Sequence, residues 1–280
     1  MTKGIDVSYA QGKIDWAKVK PNIDFAILRG GYGRYEKDAR FESNYKECKK
    51  RGIPVGVYHY SYANTVDKAK QEASFVLSYI KGKQFEYPIA FDVEDVTLSK
   101  LSKATLTEIV KAFCTKVQAA GYYVVIYASK YWLTEKLDMT ALKDFDVWVA
   151  QYNSVVTYTG SYGMWQYSSS GKVNGISGSV DMDKAYKEYP SIMKEKSLNG
   201  FKKTQTKPTT PIYVKGQAIK LSSTPVYVSA TAPNASARRS GWYYIYDGEK
   251  INGRYRITNR KEFCGKKPIA NYVSGWIKGE

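Results

Sequence analysis

Two acids stand two residues apart at the end of an apolar run: Asp92 and Glu94 close the segment Tyr87-Pro-Ile-Ala-Phe-Asp-Val-Glu. Side chains alternate along a strand, so this spacing sends both carboxyls to one face, roughly 6–7 Å apart along the rise. Like charges at that distance repel, and with partial burial one pKa rises while the other acid stays ionised. Hydrolysis of a glycosidic bond needs that division between a general acid and a charge-stabilising partner. Asp6, after Gly4-Ile5, and Asp181, after Val180, also stand at the ends of apolar runs. A lone aspartate there reads as a helix cap or a solvated turn. Four acids at strand ends read otherwise, because burying uncompensated carboxylates costs several kcal/mol each. The spacing falls between the separations of retaining (about 5–5.5 Å) and inverting (about 6.5–9.5 Å) enzymes, so it leaves the stereochemistry open.

Other chemistries are poorly supplied. The one histidine, His59, allows a Ser-His-Asp or Cys-His triad only if it serves itself, and His-rich metal sites are excluded. It alternates out of phase with Tyr58 and Tyr60 and reads as a buried, hydrogen-bonded barrel residue. Cys48, Cys114 and Cys264 lie far apart without a CxxC or CxxH pairing, which argues against zinc and against a disulfide framework. No metal and no cofactor is expected. The cluster Gly30-Gly31-Tyr32-Gly33 lacks GxGxxG spacing and a following Lys-Ser/Thr, so it reads as a turn.

The elements that must position these acids follow from the pattern of the first 190 residues, where short β-branched and aromatic runs alternate with helix-like segments. Strands are expected at 4–7, 25–30, 55–60, 89–93, 123–127, 147–151 and 164–167, with a short run ending at Val180. Helices are expected at 39–51, 67–80 and 105–120, the first and last stopped by Gly52 and Gly121. Parallel strands of a barrel share one mouth at their C-terminal ends, where the four acids can converge. From Val147 onward there is no room for full helices, which predicts an incomplete or flattened α/β barrel. Residues 197–211, polar and carrying Pro208 and Pro211, read as a linker between domains at 1–196 and 212–280. The second domain has short β runs broken by Asp247-Gly248 and Asn252-Gly253, which suggests a small all-β, SH3-like barrel.

The chain has 280 residues and a formal charge of +17, unevenly spread. Residues 201–280 hold 15 Lys and Arg against 4 Asp and Glu, a net +11, which leaves +6 for residues 1–200. The basic module, in which Trp242, Tyr244, Arg254 and Arg256 are the candidate contacts, fits a polyanionic partner, either nucleic acid or cell-wall polymer. Composition excludes a disordered chain, and no apolar run approaches the roughly 20 residues of a membrane span. The N-terminus lacks the pattern of a secretory signal, which points to synthesis in a cytoplasm.

The set Asp6-Val7-Ser8, Phe91-Asp92-Val93-Glu94, Val125-Ile126-Tyr127, Trp148-Val149-Ala150, Trp165-Gln166-Tyr167 and Val180-Asp181 resembles glycoside hydrolase family 25, the Chalaropsis-type lysozymes found in many phage endolysins, over about residues 3–190. The resemblance implies a flattened (β/α) barrel and hydrolysis of the β-1,4 bond between N-acetylmuramic acid and N-acetylglucosamine in peptidoglycan. Glu94 is similar to the family's general acid. Asp92 matches its partner, which stabilises oxocarbenium-like charge or orients the substrate's acetamido group. Asp6 and Asp181 match the flanking carboxylates, and retention assisted by the acetamido group is implied. Tyr60, Tyr62, Tyr127, Trp148 and Gln166 fall where the family lines its sugar groove, Tyr127 and Trp148 being the preferred stacking platforms. Arg29, at another strand end, is a candidate partner for one carboxylate or an ordinary salt bridge. The C-terminal module resembles the SH3-type wall-binding domains of endolysins. Together these imply a phage endolysin held in the host cytoplasm until its release to the wall, with peptidoglycan and anionic wall polymer as partners and neither nucleic acid nor membrane insertion. Met182 and Met193 offer internal starts that would yield free binding module and self-association through the C-terminal domain. The rival readings are a non-hydrolytic wall-glycan-binding protein on the same barrel and a basic nucleic-acid-binding protein.

Overall fold

The computed structural model describes residues 1–202 and 213–279. The chain divides into two compact units, Met1–Thr204 and Gln205–Glu280.

In the first unit the elements run β1 Thr2–Val7, α1 Trp16–Val19, β2 Phe25–Tyr32, β3 Glu36–Lys37, α2 Phe41–Lys50, β4 Val55–Tyr60, α3 Val66–Ile80, β5 Ile89–Asp92, α4 Lys103–Ala119, β6 Val124–Ser129, β7 Asp146–Ala150, β8 Met164–Gly171, β9 Val180–Ala185 and α5 Tyr189–Glu195. Eight strands form a ring in the order β1-β9-β8-β7-β6-β5-β4-β2, which β1 closes by pairing in parallel with β2. The short β3 is a hairpin partner on the outer end of β2. The ring is therefore complete, where the scarcity of late helices suggested a gap. It closes because β9 runs antiparallel to both β8 and β1 and needs no crossover helix. The run expected to end at Val180 instead begins there, after a turn in which Gly175 and Gly178 take positive φ. An antiparallel strand starts where its parallel neighbours end, so Asp181 still reaches the mouth.

Strand parity sorts the core into two layers. Ala26, Leu28, Val124 and Ile126 face outward onto α2, α3 and α4, whose buried stripes include Phe41 and Cys48, Ala69, Ala73, Val76 and Ile80, and Leu106, Ile109, Phe113 and Val117. Thr65 and Ser102 cap α3 and α4 through side-chain oxygens that accept from Lys68 and Thr105 backbone amides. Phe25, Ile27, Val125, Tyr127, Trp148 and Met164 face inward and form a separate cluster with Tyr189 and Met193 of α5. Tyr189 packs on Tyr87 and Tyr123, which lie within two residues of the starts of β5 and β6, so α5 stoppers the barrel at the end opposite the mouth. Residues 197–202, expected to begin a linker, continue this stopper. Asn199 is fully buried, accepts the Tyr123 amide at 2.7 Å and donates to the Tyr87 carbonyl at 2.8 Å. The remainder of the expected linker, 203–211, lies outside the described residues.

The second unit is a four-stranded antiparallel sheet, β10 Ala218–Val226, β11 Ala237–Ile251, β12 Arg254–Thr258 and β13 Gly275–Lys278, in sequence order. It forms half a barrel over Leu221, Val226, Ile245, Tyr255, Ile257 and Ile277, with a bridge between Tyr227 and Trp276 linking its first and last strands. Asn252-Gly253 makes the two-residue turn between β11 and β12, both residues at positive φ. Asp247-Gly248, expected to be a turn, lies inside β11, where the register with β12 slips between Ile245 and Lys250. No helix among the described residues is long and apolar enough to cross a membrane.

Candidate active site

At the mouth of the barrel the strand ends surround a cavity of about 220 Å³ that brings Asp6, Asp92, Glu94 and Asp181 together. Strand register explains the convergence. Asp92 is the last residue of β5 and sits level with Tyr60 on β4 and Tyr127 on β6, while Asp6 on β1 faces Asp181 on β9. Glu94 lies just beyond the strand, with Oε2 accepting the Ser129 amide at 2.5 Å. The pair expected on one strand face is thus one strand residue and one loop residue, and both line the same cavity.

The acids are crowded and three of them are buried: Asp6, Asp92 and Asp183. Asp92 is buried and its Oδ1 has no hydrogen-bond partner. Burial, then the charges of Glu94 and Asp6, raise its pKa well above the carboxylate range, with Arg29 opposing. Burial and the Asp181 charge push Asp6 up to about 8, against a hydrogen bond from Gln166 Nε2 to its Oδ2 at 2.7 Å. Burial also raises Asp181. A further acid, Asp183, is fully buried behind them and is raised by burial and then by Asp6. Asp6, Asp181 and Asp183 interact closely enough to titrate as a set, each raised by burial.

The remaining residues divide by what their polar ends do. Tyr60, Tyr127, Trp148, Gln166 and Arg29 all line the cavity. Gln166 is the hub of one wall: besides donating to Asp6, its Oε1 accepts the hydroxyls of Tyr127 at 2.9 Å and Tyr152 at 2.8 Å. Trp148 is only 1% exposed and Tyr127 8%, so neither offers a free face for stacking. Instead Trp148 Nε1 donates to Asp183 Oδ1 at 3.0 Å, and its ring packs edge-on against Tyr127 at 4.5 Å. Arg29 pairs with Asp38, Nε to Oδ2 at 2.8 Å, rather than with an acid of the mouth. Tyr62 lies outside this cavity and lines a neighbouring one. His59 is buried on the helix side of β4, its Nδ1 3.2 Å from the Tyr79 hydroxyl and its ring stacked on Phe113.

Sequence reasoning missed Asp183, Tyr58 and Tyr152. Asp183 repeats the two-residue spacing of Asp92 and Glu94, a signal hidden by ending the strand at Val180. Tyr58 lines the cavity in phase with Tyr60, a parity already legible. Tyr152 comes from the loop after β7, and nothing in its spacing announces a bond to Gln166.

In the second unit, Trp242 stands 63% exposed on the solvent face of β11, with Tyr244 half-buried two residues on. The two arginines expected to meet a ligand are engaged internally. Arg254 lies 3.6 Å above the Tyr227 ring and donates to the Ser229 carbonyl. Arg256 bridges Asp247 and Glu249 and stacks over Trp276.

The family model of the glycosyl hydrolases family 25 matches residues 5–176. The autolytic lysozyme of Clostridium acetobutylicum is 33% identical over 183 residues, which cover 65% of this chain and 55% of that protein, so the chain spans about half of that relative. Among solved structures, the CTP1L endolysin superposes with a TM-score of 0.61 at 28% identity, covering 69% of this chain and 70% of that one. The modular autolysin LytC from Streptococcus pneumoniae, in complex with a synthetic peptidoglycan ligand, gives a TM-score of 0.59 at 33% identity, covering 65% of this chain and 46% of that one.

Proposed function

The chain belongs to the glycosyl hydrolases family 25, and on that premise we propose that it is a muramidase of the phage endolysin type, which cuts the β-1,4 bond between N-acetylmuramic acid and N-acetylglucosamine in bacterial peptidoglycan. The observation that carries the reading is the cluster of acids at the barrel mouth, with Glu94 at its edge and Asp92 holding an unpartnered buried oxygen beside it. Glu94 donates a proton to the bridging oxygen as the bond to the sugar's anomeric carbon breaks. Water then delivers hydroxide to that carbon and returns the proton to Glu94. Asp92 Oδ1, which has no partner of its own, accepts the substrate's acetamido N–H. Asp6 and Asp181 flank the reacting pair and Asp183 lies behind them, all three raised by burial, while Gln166, Tyr127 and Trp148 fix their positions.

The second unit, in this reading, is an SH3-like module that binds anionic wall polymer and so raises the local concentration of the catalytic unit on an insoluble substrate. The enzyme is stored in the host cytoplasm and acts after release to the wall. Names among the similar proteins, a lysozyme, an endolysin and an autolysin with a peptidoglycan ligand, support the assignment.

Glu94→Gln should abolish the turbidity loss of susceptible walls while leaving wall binding intact; normal lysis by this variant overturns the acid assignment. Mass spectrometry of digested peptidoglycan should find muramic acid at the new reducing ends. Glucosamine there would mean the other bond is cut, and no new ends would leave a glycan-binding barrel. A fluorescent fusion of residues 205–280 should decorate walls; labelling nucleic acid but not walls would favour a nucleic-acid partner.

A further inference from the structure

Beside the acid cluster lies a second cavity, of about 350 Å³, between the turn that joins β2 to β3 and the start of α3. Tyrosine rings stand between it and the first: the Tyr62 ring meets Tyr60 at 5.3 Å and Tyr32 at 6.4 Å. The backbone makes the same link, since the Gly33 amide donates to the Tyr60 carbonyl at 2.9 Å. Gly33 takes a φ of +56, and a Cβ there would come within 3.2 Å of the Tyr62 ring, so the turn is pressed against the ring that divides the cavities.

Two cations overlook this space. Arg34 is steadied by Gln71, Nη1 to Oε1 at 3.1 Å, and Lys68 by Asn64, Nζ to Oδ1 at 2.8 Å. Both partners are neutral amides, and neither cation has an ion pair among the described residues. Two acids also border the cavity. Glu36 is exposed at its rim, while the Glu72 carboxylate is buried and taken up by the Ser61 hydroxyl and the Tyr62 amide. Exposed tyrosine faces with two steadied, unneutralised cations suit an extended peptide that carries carboxylates.

We propose that this cavity is a subsite for the stem peptide of peptidoglycan, in which Arg34 and Lys68 receive its carboxylates and Tyr35 and Tyr62 its aliphatic portions. The inference rests on the muramidase reading. The amino sugars of the glycan are uncharged once the lactyl group is amidated, so cations add nothing to holding the glycan itself. The carboxylates of the polymer lie on the stem, which begins on the muramic acid whose bond is cut. A stem of three to five residues reaches roughly 10–17 Å when extended, and the two cavities are lined by Tyr60 and Tyr62, whose rings lie 5.3 Å apart.

The test uses the full chain and three solubilised substrates: peptidoglycan freed of its phosphate polymers, the same material with stems removed by an amidase, and peptidoglycan retaining its phosphate polymers. The double variant Arg34→Ala/Lys68→Ala, altered at two surface positions, should raise KM about tenfold on the phosphate-free, stemmed substrate with kcat unchanged, and should match the unaltered chain on stripped glycan. Equal losses on stemmed and stripped glycan would assign the cavity to the glycan strand, whose lactyl groups the amidase leaves as free carboxylates. A loss confined to material with phosphate polymer would assign it to phosphate, and no loss on any substrate would remove the cations from recognition. Each of these overturns the proposal while leaving the muramidase reading in place. If the unaltered chain cleaves none of the three, the muramidase reading fails and the inference falls with it.

Discussion

At the scale of single residues, the crowded acids make the folded state hold protons that the unfolded chain releases. Asp6 is pushed up to about 8 from an ordinary value of 3.8, so between those pH values the folded state binds more protons than the unfolded one. Stability from this group is therefore fully present below about pH 4 and is lost as pH rises toward 8, with a slope of at most about 1.4 kcal/mol per pH unit for one proton. Asp6→Asn should flatten the fall in unfolding free energy between pH 5 and 8, measured by urea titration across that range; an unchanged slope would place the shared protons elsewhere. Trp148→Phe removes the indole N–H that donates to Asp183 Oδ1 at 3.0 Å. It should cost about 1–3 kcal/mol and reduce activity through misplacement of the neighbouring acids; an activity and stability equal to the unaltered chain would show that Trp148 merely fills space. Asp6, Asp92, Glu94 and Asp181 were legible in the sequence because charge at the end of an apolar run conflicts with burial and needs a reason. The partners of Arg29 and Trp148 were not, since Asp38 and Asp183 meet them only when separate elements pack.

At the scale of elements, periodicity located the seven parallel strands of the ring and the three large helices, because alternating and 3.6-residue patterns are imposed by the two faces each element must bury, but it put the last strand on the wrong side of Val180. It failed where a polar residue does the packing. Asn199, in a segment with the composition of a linker, sits fully buried at the base of the barrel with both ends of its amide satisfied and a φ of +53. Asn tolerates that left-handed conformation, and its side chain supplies the hydrogen bonds that strand ends at Tyr87 and Tyr123 otherwise lack. Asn199→Ala strands a buried amide and a buried carbonyl and should destabilise the first unit by about 2–4 kcal/mol. Urea unfolding followed by tryptophan fluorescence measures this, since Trp148 belongs to the inward cluster that α5 covers; a loss below about 0.5 kcal/mol would mean water replaces the side chain without cost.

At the scale of the whole molecule, the net +17 resolves into +11 over residues 201–280 and +6 before them, and not every charge in the basic portion is available. Arg254 and Arg256 are spent on ring stacking and internal partners, whereas Lys220, Arg238 and Arg239 are exposed beside the outward Trp242, with Lys220 and Trp242 paired across β10 and β11. If the second unit holds an anionic wall polymer, two kinds of contact should separate by their response to salt. Exposed cations act through a field that shortens from about 10 Å at 0.1 M to about 3 Å at 1 M ionic strength, whereas an aromatic face acts by contact. Arg238→Glu/Arg239→Glu should therefore weaken wall binding most at low salt and reduce its salt dependence. Trp242→Ala should weaken binding about tenfold at every salt concentration, near the 1–3 kcal/mol that an aromatic stacking contact contributes. Cosedimentation with purified walls over that salt range distinguishes the two, and hydrolysis of a soluble glycan should be untouched by either change. Binding that ignores both salt and the arginine reversals would leave the positive charge without a part in wall recognition and would move the search for the ligand to neutral surfaces of the sheet.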